Sequence, residues 1–313
     1  MTLASVALDA QMDLLRWYRT TQGMKYANSV CNAMLGVEVR TDDDFGAKLH
    51  NVILIDSLTY AVASDICHVV EAAATTIPSF AIQPSDLPSS GGFVFFEHPL
   101  LMKDDTGKNL VVKAIAWHLA RPSTDVDTIK IIENKRGANV FENEGIIMIL
   151  WTVPSDPRDH MHEDWVESAE TRASVGVSWP SYLSMVGGTW NFGDEPRGEI
   201  AKVLLTFLRF IQERWVDNRQ VIADRHAIKR AKRVRPAEPV IKIIRLRRAA
   251  PKKQREGDPE QIEWSRRWIV HPHWRNQWYP SLGVHRPRYI PAYIKGPDDK
   301  PLIVDDTVFV VDR

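Results

Sequence analysis

The chain has 313 residues, of which 44% are hydrophobic and 26% are charged, and its 40 Lys+Arg balance its 40 Asp+Glu. This composition is typical of a globular protein with a large core and, at this length, two domains. It excludes a membrane-spanning helix because no apolar run is long enough to cross a bilayer, and no signal peptide is expected. Cys31 and Cys67 lie in apolar, helix-like segments and are expected to be buried thiols in a reducing cytosol.

The zero net charge hides a division along the chain. Residues 225–295 hold 19 Lys+Arg and 5 Asp+Glu, a net of +14, so the remaining residues carry −14. A division of this size indicates a basic module that faces an anionic partner. The alternative is that the basic segment only neutralises the chain's own acidic body.

The N-terminal part is predicted to be helical. Residues 3–35 carry apolar side chains at helical spacing and are predicted to form one helix. Asp42–Asp44 would cap a second helix that runs from Phe45 to Ala74. Because apolar residues surround much of that second helix, we expect it to be central and buried.

A sheet follows from Pro78, with a helix after it. The predicted strands are 79–82, 93–96, 110–119, 128–132, 145–153 and 175–179, with a turn at 104–107. Asp194 then begins a long helix with an apolar stripe from Ile200 to Trp215. This helix is predicted to continue through basic residues to near Pro236.

The C-terminal part is predicted to be a linker and a small module. A strand at 240–246 leads to residues 249–261, whose composition is that of a mobile linker. Short strands are predicted at 268–270, 288–290, 302–304 and 308–311. The fold class is therefore α+β, with N-terminal helices packed on a mostly antiparallel sheet, plus a basic linker and a small β-rich C-terminal module. The predicted divisions are an α+β body (1–224), a basic helix extension and linker (225–262) and a Trp/Arg-rich β module (263–313).

The module carries the strongest candidate site. Four of the chain's 11 tryptophans lie between Trp264 and Tyr279, interleaved with arginines. Aromatic faces beside guanidinium groups can stack on bases and neutralise phosphates, or grip a peptide. The alternative is that the tryptophans form the core of the module and that the arginines guard its edges. The candidate binding residues are His273, Trp274, Arg275, Gln277, Trp278, Arg286, Arg288 and Tyr289, together with Arg245, Arg247, Arg248, Lys252 and Lys253 of the basic stretch.

Two histidine-containing segments raise the question of catalysis. His271 and His273 are two residues apart and would share one face of a strand. Residues 159–164 combine two histidines with three carboxylates, but their spacing matches no zinc motif, so an acidic surface loop is the expected structure. No metal site and no cofactor are expected.

The C-terminal residues resemble a known module. A basic run leads to His273-Trp274, then to Trp278, to the Arg286-Pro-Arg288-Tyr289 step and to Pro291. This order is similar to the C-terminal module of a type V-A anti-CRISPR family and of uncharacterised actinobacterial, plasmid and phage proteins. Pro272 stands where that family has a glycine, and Tyr289 stands where it has a tryptophan.

The resemblance implies a function. The anti-CRISPR protein lowers synthesis of its target nuclease by recognising the nascent chain and triggering loss of its message. A relative of it would be a phage or mobile-element protein in the bacterial cytoplasm that suppresses production of a host or defence protein. Its implied partners are RNA or a ribosome–nascent chain complex, and the N-terminal peptide of a host protein, with no membrane.

Two other functions are compatible with the residues. The chain could be an RNA-cleaving or nucleic-acid-modifying enzyme that uses His271, His273 and the 159–164 cluster as acid/base or metal groups. It could instead be a phage accessory protein whose basic tail binds nucleic acid without specificity. Because no catalytic motif is as specific as the Trp/Arg segment, the sequence favours binding over catalysis.

Overall fold

A mixed seven-stranded sheet organises the first part of the protein. The computed structural model describes residues 1–35, 45–78, 80–81, 86–103, 109–120, 145–153, 178–184, 189–190, 198–235, 237–247 and 265–303. These residues form two compact units, Met1–Arg247 and Arg248–Arg313. The predicted boundary at residue 224 falls inside the first unit.

The described elements of the first unit are six helices and nine strands. The helices are α1 (Leu3–Trp17), α2 (Thr21–Leu35), α3 (Phe45–Ile55), α4 (Ser64–Ala74), α5 (Gly198–Phe210) and α6 (Arg225–Lys232). The strands are β1 (Leu58–Val62), β2 (Phe80–Ala81), β3 (Gly91–Lys103), β4 (Asn109–Ala120), β5 (Gly145–Val153), β6 (Ser178–Ser184), β7 (Thr189–Trp190), β8 (Val216–Val221) and β9 (Ile241–Leu246).

The large sheet has the strand order β6-β5-β4-β3-β1-β9-β8. Strand β1 runs parallel to both β3 and β9, and the other four pairings are antiparallel. Helices α1 and α3 contact one face of the sheet, and α4 and α5 contact strand β3 as well. The predicted α+β class and the mostly antiparallel sheet are confirmed, as are strands at 93–96, 110–119, 145–153 and 240–246.

The core lies where α1 and α3 meet the sheet. Phe93 and Phe95 point toward these helices, together with Trp151 from β5, and all three are buried. The Trp151 indole N–H donates to the Tyr18 hydroxyl at 3.0 Å, which satisfies the one polar atom of this large side chain. The alternation along β3 puts Val94 and Phe96, which are also fully buried, on the opposite face.

The prediction of a single N-terminal helix is wrong, because the structure has two helices, α1 and α2. Thr20 separates them, because its hydroxyl donates to the Trp17 carbonyl at 2.7 Å and accepts the Gly23 N–H at 3.1 Å, which caps α2. A Cβ at Gly23 would lie 2.0 Å from the Trp17 carbonyl oxygen, so only glycine permits this close return of the chain.

The predicted helix from Phe45 to Ala74 is also wrong, because strand β1 interrupts it. An apolar run of this kind fits a buried strand as well as a buried helix. Contacts from α1 hold the turn into the strand: the Gln11 amide donates to the Leu54 carbonyl at 2.7 Å and accepts the Thr59 hydroxyl.

The predicted helix from Asp194 to Pro236 is wrong in the same way. It is divided into α5, the edge strand β8 and α6. Asp224 caps α6 by accepting the Ala227 N–H at 2.9 Å. Arg230 then forms an ion pair with Asp9 of α1 through two hydrogen bonds of 2.9 and 2.5 Å. The basic helix extension is therefore part of the first unit.

The described part of the second unit consists of strands. They are β10 (Arg267–Val270), β11 (His273–Tyr279), β12 (Val284–Ile290), β13 (Tyr293–Lys295) and β14 (Leu302–Ile303). Strand β10 lies between β13 and β14 in a three-stranded sheet, and β11 pairs with β12 alone. The Lys295 ammonium lies 5.5 Å from the centre of the Trp268 ring. The strands predicted at 268–270, 288–290 and 302–303 are confirmed.

Other predictions concern residues outside the described ranges. They are the turn at 104–107, the strands at 128–132 and 308–311, the 159–164 cluster and the linker at 249–261. Cys31 lies in α2, but its side chain is outside the described part of the structure. Cys67 is fully buried, as predicted, and burial raises the pKa of its thiol to about 11.

Candidate nucleic-acid interface

The β11–β12 hairpin holds most of the predicted binding residues. Its strands join through Pro280–Gly283, where the Leu282 and Gly283 N–H groups both donate to the Tyr279 carbonyl at 3.0 Å. Gly283 has φ +63°, a left-handed conformation that glycine adopts without strain. This turn fixes the register of the two strands and, with it, which side chains share a face.

The register divides the hairpin into two chemically different faces. Residues directly opposite one another in an antiparallel pair project to the same side, and successive residues alternate. One side, here called the arginine face, carries His273, Arg275, Gln277, Tyr279, Val284, Arg286, Arg288 and Ile290. The other side, the aromatic face, carries Trp274, Asn276, Trp278, His285, Pro287 and Tyr289.

The aromatic face is packed at one end and open at the other. Trp274 meets Tyr289 edge to face with ring centres 5.2 Å apart, and Tyr289 is only 5% exposed. Burial raises the pKa of the Tyr289 phenol. Nearer the turn, Trp278 lies 4.8 Å from the His285 ring and is 45% exposed. Trp274 and Tyr289 therefore belong to the core of the hairpin, whereas Trp278 is available for contact.

The arginine face concentrates positive charge. Arg275 is exposed and stands directly opposite Arg288, which is half-buried like Arg286. The Gln277 side-chain oxygen accepts a hydrogen bond from the Arg275 guanidinium, and the Gln277 amide donates to the Trp278 carbonyl at 2.9 Å. Gln277 thus holds the Arg275 side chain along the strand.

This arrangement changes the interpretation of the Trp/Arg segment. The sequence predicts one surface on which indoles and guanidinium groups alternate. In the hairpin, Arg275, Arg286 and Arg288 lie on one face, while Trp274, Trp278 and Tyr289 lie on the other. Alternation along a strand is what separates them, because neighbours in sequence point in opposite directions.

The two histidines do not share a strand face. His271 follows the end of β10 and His273 begins β11, and the two strands belong to different sheets. The His273 Nδ1–H donates to the His271 carbonyl oxygen at 2.9 Å, and both side chains are exposed. Pro272 lies between them, where β10 has ended and β11 has not begun. The shared strand face that the sequence predicted for these two histidines is therefore not formed.

The remaining predicted residues lie elsewhere. Arg245 is in β9 of the first unit, opposite Asp217 of β8, and Arg247 follows that strand. Both are exposed. Arg248, Lys252 and Lys253 lie outside the described residues. The structure thus groups the eight predicted residues from His273 to Tyr289 in one hairpin, and it assigns Arg245 and Arg247 to the other unit.

His285 is a residue of the aromatic face that was not among the predicted binding residues. It stands opposite Trp278 and completes the exposed end of the aromatic face. Pairing the residues outward from the Pro280–Gly283 turn would have identified it.

Two features are absent from the described part of the chain. It contains no group of three or more His, Cys, Asp or Glu side chains placed to hold a metal ion. None of its helices combines the length and the apolar character needed to span a membrane.

Comparison with known proteins shows a structural likeness. No protein-family model matches the chain, and no curated protein matches it. Among solved structures, the chain is similar to the crystal structure of AcrVA2, with 15% sequence identity over 93% of this chain and 94% of that one and a TM-score of 0.42. A superposition of that quality leaves the function to be argued from the chain's own residues.

Proposed function

We propose that this is an RNA-binding protein of a phage or mobile element that lowers production of a host or defence protein, and that the arginine face of the hairpin contacts RNA phosphates. The observation that supports this proposal is the placement of Arg275, Arg286 and Arg288 on one face of a two-stranded hairpin. Residues 264–297 contain no aspartate or glutamate, so this segment as a whole carries positive charge.

The chemistry of the arginine face suits an anionic ligand. Arg275 is directly opposite Arg288 in the hairpin. A phosphate at this position would accept charge-assisted hydrogen bonds, which a guanidinium can form in pairs. Each phosphate that is neutralised also releases counterions, which makes the affinity dependent on salt.

The role in expression rests on the resemblance of the C-terminal residues. His273-Trp274, Trp278 and the Arg286-Pro-Arg288-Tyr289 step are similar to the module of the type V-A anti-CRISPR family. Under this proposal the RNA is a message or the RNA of a ribosome that translates it. The second partner is the emerging N-terminal peptide of the suppressed protein.

Crosslinking in bacterial cells tests the proposal. The full chain is crosslinked and purified, and the same sample is analysed by RNA sequencing and mass spectrometry. Enrichment of one message together with the N-terminal peptide of its product is the expected result. Recovery of neither RNA nor ribosomal proteins would refute it.

A matched pair of variants assigns the contact to the hairpin. The triple change Arg275→Gln, Arg286→Gln and Arg288→Gln is expected to lower RNA recovery at least about tenfold, because three phosphate contacts are lost. Arg225→Gln, Lys229→Gln and Arg233→Gln remove the same charge from exposed positions in α6 and at its C-terminal end. Equal losses in the two variants would show that net charge, and not the arginine face, drives binding.

A separate assay with purified protein distinguishes RNA binding from RNA cleavage. Purified protein is incubated with labelled RNA, with and without EDTA, and intact RNA is expected in both. Cleavage that disappears with His273→Ala would overturn binding as the whole function and identify an enzyme.

A further inference from the structure

We infer that the RNA taken by the arginine face is double-stranded and is recognised by its backbone. This inference rests on the proposed RNA binding and specifies the class of RNA. It follows from the separation of charged and aromatic side chains on the hairpin, which the sequence does not reveal.

Proteins that bind single-stranded RNA combine a basic groove with aromatic rings on the same surface. The rings stack on successive unpaired bases while the cations follow the phosphates. On the arginine face, the ring-bearing side chains are His273 and Tyr279, at opposite ends of β11. The two cross-strand pairs between them, Arg275 with Arg288 and Gln277 with Arg286, contain only arginine and glutamine. A single strand lying across the three arginines would therefore meet aromatic rings only at the two ends of β11.

The exposed indole cannot supply that partner from where it stands. Trp278 is on the aromatic face, and its ring already lies against His285. The strand backbones separate it from the arginines. A base stacked on Trp278 and a phosphate held by Arg275 would have to lie on opposite sides of the hairpin.

The spacing of the arginines fits a duplex. Side chains directly opposite one another, such as Arg275 and Arg288, begin about 5 Å apart, and the diagonal from Arg275 to Arg286 spans about 7–8 Å. The three charges therefore form a compact cluster and not an extended row. A-form RNA has a deep, narrow major groove, so the phosphates of its two strands approach each other across the groove. A compact cluster can contact phosphates of both strands there, without access to the bases.

Binding of matched RNAs tests this inference. The full chain is titrated with a labelled RNA duplex of about 20 base pairs, with either of its single strands, and with the DNA duplex of the same sequence, in a range of salt concentrations. The RNA duplex is expected to bind at least about tenfold more tightly than the other probes, with little dependence on its sequence.

Variants of the two faces give the decisive comparison. The triple Arg→Gln variant is expected to reduce the slope of log affinity against log salt by about 2 to 3, since each lost phosphate contact contributes about 0.7–0.9. Trp278→Leu, on the opposite face, is expected to leave duplex affinity unchanged within about twofold, because stacking contributes to single-strand binding. Exchange of the hairpin amides with solvent, measured on each variant, confirms that the hairpin remains folded.

The outcomes distinguish the inference from the proposed function. If no RNA of either form binds, the proposed function fails. If RNA binds but the single strand is preferred, or if Trp278→Leu abolishes binding, only the duplex inference is overturned. Equal affinity for the RNA and DNA duplexes overturns the assignment to A-form RNA.

Discussion

At the scale of single residues, His50 is a titratable side chain removed from water. It is fully buried in α3, its Nδ1–H donates to the Gly46 carbonyl at 2.7 Å, and its ring lies 4.3 Å from Tyr18. Burial lowers the pKa of its imidazole from 6.5 to about 4. The folded protein therefore keeps His50 neutral in a range of pH where an unfolded chain would protonate it.

This shift predicts a loss of stability in acid. Between pH 6.5 and about 4 the unfolded state binds one more proton at His50 than the folded state does, so the free energy of unfolding falls as the pH falls. The loss is about 2 kcal/mol from about pH 7.5 to about pH 5. Urea unfolding at the two pH values measures it, with His50→Gln as the comparison. The variant is expected to be less stable at neutral pH but to lose about 2 kcal/mol less on acidification. Equal losses in both proteins would contradict this.

The two tryptophans of the hairpin are expected to differ in what they stabilise. Trp274 packs on buried Tyr289, an aromatic contact that contributes about 1 kcal/mol beyond the area it buries. Trp278 is 45% exposed. Trp274→Ala should therefore speed hydrogen exchange of the β11 and β12 amides, and Trp278→Ala should not. Similar acceleration in both variants would mean that the exposed indole is also structural.

At the scale of elements, Gly92 shows how closely the sheet is packed. It pairs with Trp117 across β3 and β4, and a Cβ at this position would lie 2.1 Å from the indole ring. Trp117 is fully buried and also contacts Tyr60 and Phe207. The ring therefore has no free space into which it could move.

Gly92→Ala is expected to destabilise the first unit. Forcing a buried side chain out of its packed position costs about 1–3 kcal/mol, which a thermal melt detects as a lower Tm. Gly283→Ala provides a control of different origin, since nothing lies within 4 Å of its Cβ position and its cost comes only from φ +63°. A Gly92→Ala protein as stable as the parent would show that Trp117 can be repacked.

The sequence predicted strands β3, β4, β5 and β9 but missed β1 and β8. Strands β3, β4 and β5 are long apolar runs with clear turn residues around them. Strand β1 has five residues between two helices and is buried on both faces, so its pattern equals that of a buried helix. What decides between the two is its pairing with β3 and β9, and these partners are distant in sequence. The arginine and aromatic faces likewise depend on the register in which β11 pairs with β12, and the amino-acid composition of the segment does not determine that register.

For the whole molecule, the folded units change the interpretation of charge. The sequence window 225–295 carries a net of +14, but α6 and β9 within it belong to the first unit. Counted by unit, residues 248–313 hold 12 Lys+Arg and 9 Asp+Glu, a net of +3, and residues 1–247 hold 28 and 31, a net of −3. Part of the basic stretch therefore neutralises its own unit, as Arg230 does with Asp9. Affinity for RNA would come from the local cluster of arginines and not from a large net charge.

Truncation tests this division of the molecule. Strand β9 lies between β1 and β8, and its Ile241 and Ile244 are buried, so a chain that ends at residue 224 lacks an interior strand and exposes the edge of β1. We expect residues 1–247 to melt cooperatively and residues 1–224 to show no cooperative transition in calorimetry. Residues 1–247 form the whole first unit, so this fragment should retain its fold. It lacks the β11–β12 hairpin, so it should lose RNA binding. Cooperative melting of 1–224 would place the boundary where composition alone suggested it. RNA binding by 1–247 would move the interface to the exposed basic residues of α6 and β9.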